Sequence, residues 1–98
     1  MKEDLTHVFC LVKTDDATYC GSVYFYQDEE PNWSPKKVLL FSAMKIDSKS
    51  KIQLQKINKG LDANIRVKYI EEVYLPDVKE IIVASDKVID ELYDRVMC

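Results

Sequence analysis

Most of this chain alternates apolar and polar residues with period 2, which commits it to half-buried strands rather than helices. The clearest stretch is Ala17–Gln27. Ala17, Tyr19, Gly21, Val23 and Phe25 fall on one face, and Thr18, Cys20, Ser22, Tyr24 and Tyr26 on the other. Leu5–Lys13 precedes it as a first strand. The intervening Thr14-Asp15-Asp16 supplies turn chemistry, because Asp bonds its own backbone and tolerates tight turns. Two strands joined by so short a connection form an antiparallel hairpin.

The register of that hairpin decides the fate of two cysteines. With Thr14–Asp16 as the loop, Lys13 pairs with Ala17 and Cys10 lies opposite Cys20, within disulfide reach. With only Asp15-Asp16 in the loop, Cys20 faces Leu11 and no bridge can form. A reducing compartment favours two free, partly buried thiols, and Cys98 is a terminal thiol.

Further along, Asp28–Lys37 reads as a loop, since Pro31 and Pro35 remove two backbone donors. Val38–Ile46 is a third strand, apolar enough to be buried on both faces. Asp47–Asn64 is ambiguous. Ile52-Gln53-Leu54-Gln55 alternates like a strand, yet Leu54, Ile57 and Leu61 lie at helical spacing, so a short helix or an irregular hairpin tip is expected. Ile65–Leu75 alternates as a fourth strand. Pro76-Asp77 breaks it, and Val78–Ala84 is a short fifth. The chain closes with a helix over 85–97, capped by Ser85 or Asp86, with Val88, Ile89, Leu92, Tyr93 and Val96 on one stripe. Lys87–Glu91 and Glu91–Arg95 are spaced as i,i+4 pairs.

Ninety-eight residues make one domain, and 47 % hydrophobic with 32 % charged residues is ordinary for a folded protein. The longest apolar run, Val8–Val12, is far below the roughly 18 residues of a membrane span. The charged Met1-Lys2-Glu3-Asp4 lacks the apolar core of a signal peptide. The expectation is a cytoplasmic protein that does not enter membranes.

Five short, tightly turned strands with a very short break before the last describe a small, strongly bent antiparallel barrel. The segment from Thr14 to Val23 resembles the first two strands of Sm-like proteins, in which an Asp-Gly turn leads to an apolar position, a glycine and another apolar position. Gly21 matches that glycine, placed where the second strand bends over the core. Asp28 and Asn32 sit where the family carries its loop Asp and Asn. Val73–Ile81 resembles the second motif, two strands meeting across a tight turn. The resemblance covers about half the chain and implies a mostly β, five-stranded Sm-like or SH3-like barrel that assembles into a ring. Three features depart from the pattern. Pro76-Asp77 replaces the family's Arg/Lys-Gly turn, Asp16 replaces the turn glycine, and the helix follows the barrel instead of preceding it.

Charge is sorted into blocks. Residues 36–68 hold nine basic residues against two acids, residues 1–35 two against seven, and residues 69–98 three against eight, for a net charge of −3. A positive block between negative ones suits a negative partner, including another copy of the chain. Lys49, Lys51 and Lys56 on the 47–64 tip, with Arg66 and Lys68 on the outward face of a strand, form the basic candidate. They could neutralise phosphates, or simply keep an edge soluble. Twelve lysines against two arginines weigh against base readout. Trp33 is either an interface anchor or a lid over the barrel's open end. Tyr24 and Tyr26 either stack on a partner or cover a second small core.

No cofactor, metal or catalytic set is expected. Zinc needs four ligands, and His7 with Cys10 is too little. No phosphate-cradling loop exists, since Gly21 and Gly60 are the only glycines. The reading is a non-enzymatic binding and assembly module that self-associates and binds a protein partner. One alternative is an acidic inhibitor or immunity-type protein engaging a basic partner through Asp28–Glu30, Glu71-Glu72 and Asp86–Asp94. The other is RNA binding through the basic block.

Overall fold

The computed structural model describes residues 5–26, 37–47 and 53–97. The elements run β1 (Leu5–Lys13), β2 (Thr18–Tyr26), β3 (Val38–Asp47), α1 (Leu54–Lys59), β4 (Arg66–Leu75), β5 (Glu80–Val83) and α2 (Asp86–Met97). The strands form one antiparallel sheet in the order β4-β3-β2-β1-β5. The mostly β reading with a C-terminal helix therefore holds. Closure does not: among the described residues no ladder joins β4 to β5, and each has one unpaired edge.

Hairpin register follows the two-residue alternative. Lys13 pairs with Thr18, Leu11 with Cys20 and Cys10 with Gly21. Thr14 fixes it locally: its N–H donates to the Ala17 carbonyl at 2.9 Å, and its Oγ1 accepts from the Ala17 N–H at 3.2 Å. Only Asp15 and Asp16 remain as the loop. Cys10 and Cys20 consequently face opposite sides of the sheet and stay free, both fully buried rather than partly so.

The sheet is packed on both faces. On one, Leu11, Cys20, Met44 and Ile46 meet Leu54 and Ile57 of α1 and Val88 and Leu92 of α2. On the other, Cys10, Val12, Val23, Val38, Leu40 and Ala43 pack with Leu75 and Val78. This second cluster contains only strand residues and Val78 of the β4–β5 turn, so the sheet curls to cover itself. Val78 points inward from the turn rather than extending β5, which is why β5 is shorter than the expected 78–84 strand.

Curling requires local breaks in the pleat. A Cβ on Gly21 would lie 2.9 Å from Leu40 Cβ and 3.1 Å from the Phe41 carbonyl oxygen, so β2 and β3 approach there as only glycine permits. The β3–β4 register slips around Ser42 and Glu71, at φ 52° and 83°. Each bulge inserts one residue and inverts the alternation beyond it. Val38 and Leu40 thus enter one core while Met44 and Ile46, further along the same strand, enter the other.

The 47–64 connection contains the short helix anticipated as one of its two forms. Six residues cannot hold a helix by propensity alone, and α1 has no side-chain cap at Gln53. Burial of Leu54 and Ile57 supplies the stability. Gly60, at φ 151°, ends the helix. Ser85 is the N-cap of α2, its Oγ accepting from the Val88 N–H at 3.2 Å. Glu91 and Arg95 do not use their i,i+4 spacing. Glu91 Oε1 accepts from the Leu61 N–H at 3.2 Å, and Arg95 donates to the carbonyls of Ile65 at 2.5 Å and Leu61 at 3.2 Å. Both satisfy backbone in the connection after α1.

Candidate interaction surfaces

Of the basic candidates, Lys56, Arg66 and Lys68 lie among the described residues. Lys56 is exposed on α1, whose opposite side is buried, while Arg66 and Lys68 are exposed on the edge strand β4. Lys49, Lys51, Trp33, Asp28 and Asn32 lie outside the described residues. The connection itself is fastened to the C-terminal helix. Asn58 Nδ2 donates to the Val83 carbonyl at 3.2 Å, its Oδ1 accepts from the Ser85 N–H at 2.6 Å, and Ser85 Oγ donates to the Asn58 carbonyl at 2.6 Å. Between α1 and α2 lies an open cleft of about 820 Å³, bordered by Lys56, Lys59, Lys87, Asp62 and Glu91. Its charges are mixed, and Glu91 is already engaged with the Leu61 backbone.

Beta-strand pairing sorts the charges of β4. Paired residues share a face, and Lys68 lies opposite Lys45 while Arg66 lies opposite Asp47. Glu71 lies opposite Ala43, on that same face, because the bulge at residue 70 shifts the phase. Glu72 and Tyr74 occupy the other face, opposite Phe41 and Leu39. Like charges directly opposite one another are unfavourable, and neither Lys45 nor Lys68 has an ion-pair partner among the described residues. The ion pairs found there both belong to Lys79, with Asp77 at 3.4 Å and Asp15 at 3.7 Å. Those two carboxylates raise the Lys79 pKa, Asp77 foremost.

Beyond the reach of α2, the helix-bearing face continues as an exposed aromatic strip. Tyr24 stands between His7 and Phe41, with centroids 5.2 Å apart on both sides and an edge-on approach to Phe41. Leu39 and Tyr74 extend the strip with 39 % and 56 % exposure. Nearer the helix, Phe9 meets Tyr93 at 6.1 Å. Tyr24 was identifiable from alternation. Leu39 and Tyr74 were not, since the bulges decide which face they take.

The thiols are poor nucleophiles. Burial pushes Cys10 up to about 11 and Cys20 up to about 12, so both stay protonated at neutral pH. His7 and Cys10 project from opposite faces of β1, which separates them as a pair. Among the described residues no cluster of three or more His, Cys, Asp or Glu side chains could hold a metal ion. No helix among them is long and apolar enough to cross a membrane.

Comparison of the chain with protein-family models, with curated proteins and with solved structures finds no match.

Proposed function

We propose that this protein is a non-enzymatic binding and assembly module, an Sm-like small barrel that self-associates and takes a macromolecular partner in the cytoplasm. The observation that carries the reading is the unpaired outer edge of β4, ten residues long. At about 3.3 Å per residue it is a ladder of some 33 Å whose outward N–H and C=O groups need partners. Another chain is a ready source of them. Support for the barrel type comes from the order β4-β3-β2-β1-β5, the close approach at Gly21 and the strand-lined second core. The walls would close through side chains and the β4–β5 turn instead of a hydrogen-bonded seam. The two unbridged thiols suit a reducing compartment.

Light scattering at low and high salt tests self-association. The mean mass should exceed that of the 11.4 kDa chain at low salt and fall as salt screens the charges. A monomer under both conditions would remove the reading.

One observation favours the inhibitor-type alternative. Asp86, Asp90 and Asp94 are all exposed and recur every fourth residue along α2, a stripe of about 12 Å that a basic protein surface could match. A pull-down that retains one stoichiometric basic protein, lost on changing the three aspartates to asparagine, would select it.

A further inference from the structure

We infer that β4 pairs antiparallel with β4 of a second copy about a two-fold axis, Lys68 of each chain facing Glu71 of the other. This rests on the self-association reading and specifies its surface, with a closed two-fold pair in place of the ring that the Sm-like resemblance implies. Three observations converge on it. The first is availability. Of the two sheet edges, β5 has only four residues, and its Val83 carbonyl is already occupied by Asn58. Among the described residues, nothing pairs with the outer edge of β4.

The second observation is face parity. A two-fold axis perpendicular to the sheet keeps faces together, so residues paired across it must share a face. In a regular strand, residues 68 and 71 would lie on opposite faces. The bulge at residue 70 places Arg66, Lys68, Glu71 and Val73 on one face, and Val67, Glu72 and Tyr74 on the other. The same register then sets Lys68 against the partner's Glu71, Val67 against the partner's Glu72 and Arg66 against the partner's Val73. Every one of these pairs is face-consistent. Arg66 sits one diagonal away from the same carboxylate, within reach of a long side chain.

The third is local charge and strain. Lys45 and Lys68 stand side by side, and among the described residues neither has an ion-pair partner. The partner's Glu71 would enter that positive site, and the symmetry supplies the contact twice. Glu71 itself sits at φ 83°, where Gly or Asn is the usual residue. A carboxylate held at such an angle suits a position whose side chain is used.

Charge reversal tests the register. K68E alone sets carboxylate against carboxylate across the two-fold axis, and E71K alone sets ammonium against ammonium. Each should weaken the dimer roughly 10- to 100-fold in Kd, given two reversed cross-strand pairs per dimer. Mixing the two variants in equal amounts should restore a heterodimer, because both contacts then become attractive. The double variant K68E/E71K should restore the homodimer. Circular dichroism checks that each variant is folded, as expected for two exposed side chains. If wild type self-associates but both single variants do so equally well, the β4 edge is not the interface, although self-association stands. If the single variants dissociate and neither the mixture nor the double variant recovers, the two-fold register is wrong. A wild type that is monomeric under all conditions removes this pairing and the self-association reading together.

Discussion

Glycine 21 shows how one residue can set the curvature of a sheet. Its missing side chain lets β3 approach to a distance at which Leu40 Cβ would lie 2.9 Å from any added Cβ. Gly21→Ala should therefore destabilise the protein by about 1–3 kcal/mol, and Gly21→Val by more, read from the midpoint of urea unfolding. An unchanged midpoint would mean that Leu40 has room to give way. The buried thiols make a second prediction at this scale. Cys10 and Cys20 titrate near 11 and 12 in the fold, against an ordinary value of 9.0. Above pH 9 the unfolded chain loses these protons while the folded one keeps them, so the unfolded state binds fewer protons and stability falls as pH rises. Below pH 9 the two states bind equally and the thiols contribute no slope. Unfolding curves between pH 9 and 11 should show a gentler loss for Cys10→Ala/Cys20→Ala than for wild type. Identical slopes would contradict the burial of these groups.

Elements are joined by a few specific contacts. Asn58 ties the short α1 to the start of α2 and to β5, and Ser85 both caps α2 and returns a hydrogen bond to Asn58. Asn58→Ala leaves the Ser85 N–H without its partner and should cost about 1–3 kcal/mol. Ser85→Ala removes a cap and should cost about 1 kcal/mol. Because the two contacts share a site, the double variant should lose less than the two single losses combined, which thermal unfolding can measure. Full additivity would mean that the clasp is not one unit. The elements were largely legible in the sequence. The first hairpin and the closing helix each carry their own period, the third strand shows as an apolar run, and Leu54, Ile57 and Leu61 already hinted at a helix in the ambiguous connection. What stayed hidden is tertiary. The hairpin register hung on whether Thr14 paired with Ala17, which composition alone does not decide. Ser42 and Glu71 carry no residue signature of a bulge, so alternation alone does not say which faces the two ends of β3 and β4 take. Glu91 and Arg95 have i,i+4 spacing but serve backbone groups thirty residues away. Leu54 and Ile57 gain meaning as anchors of the connection only against α2 and the sheet.

At the scale of the whole molecule, the account comes down to how a small curled sheet handles its two edges. One edge is short and partly occupied by an asparagine. The other is long, bulged and carries opposite charges at positions that complement a rotated copy. The acidic stripe on α2 and Tyr24 of the aromatic strip lie away from that edge and stay exposed. The most direct measurement is amide hydrogen exchange across β4 as a function of protein concentration. If β4 is the assembly edge, amides between Arg66 and Tyr74 that exchange rapidly in dilute solution become protected as concentration rises, while those of β5 do not change. Exchange in β4 that is fast and indifferent to concentration would contradict the account.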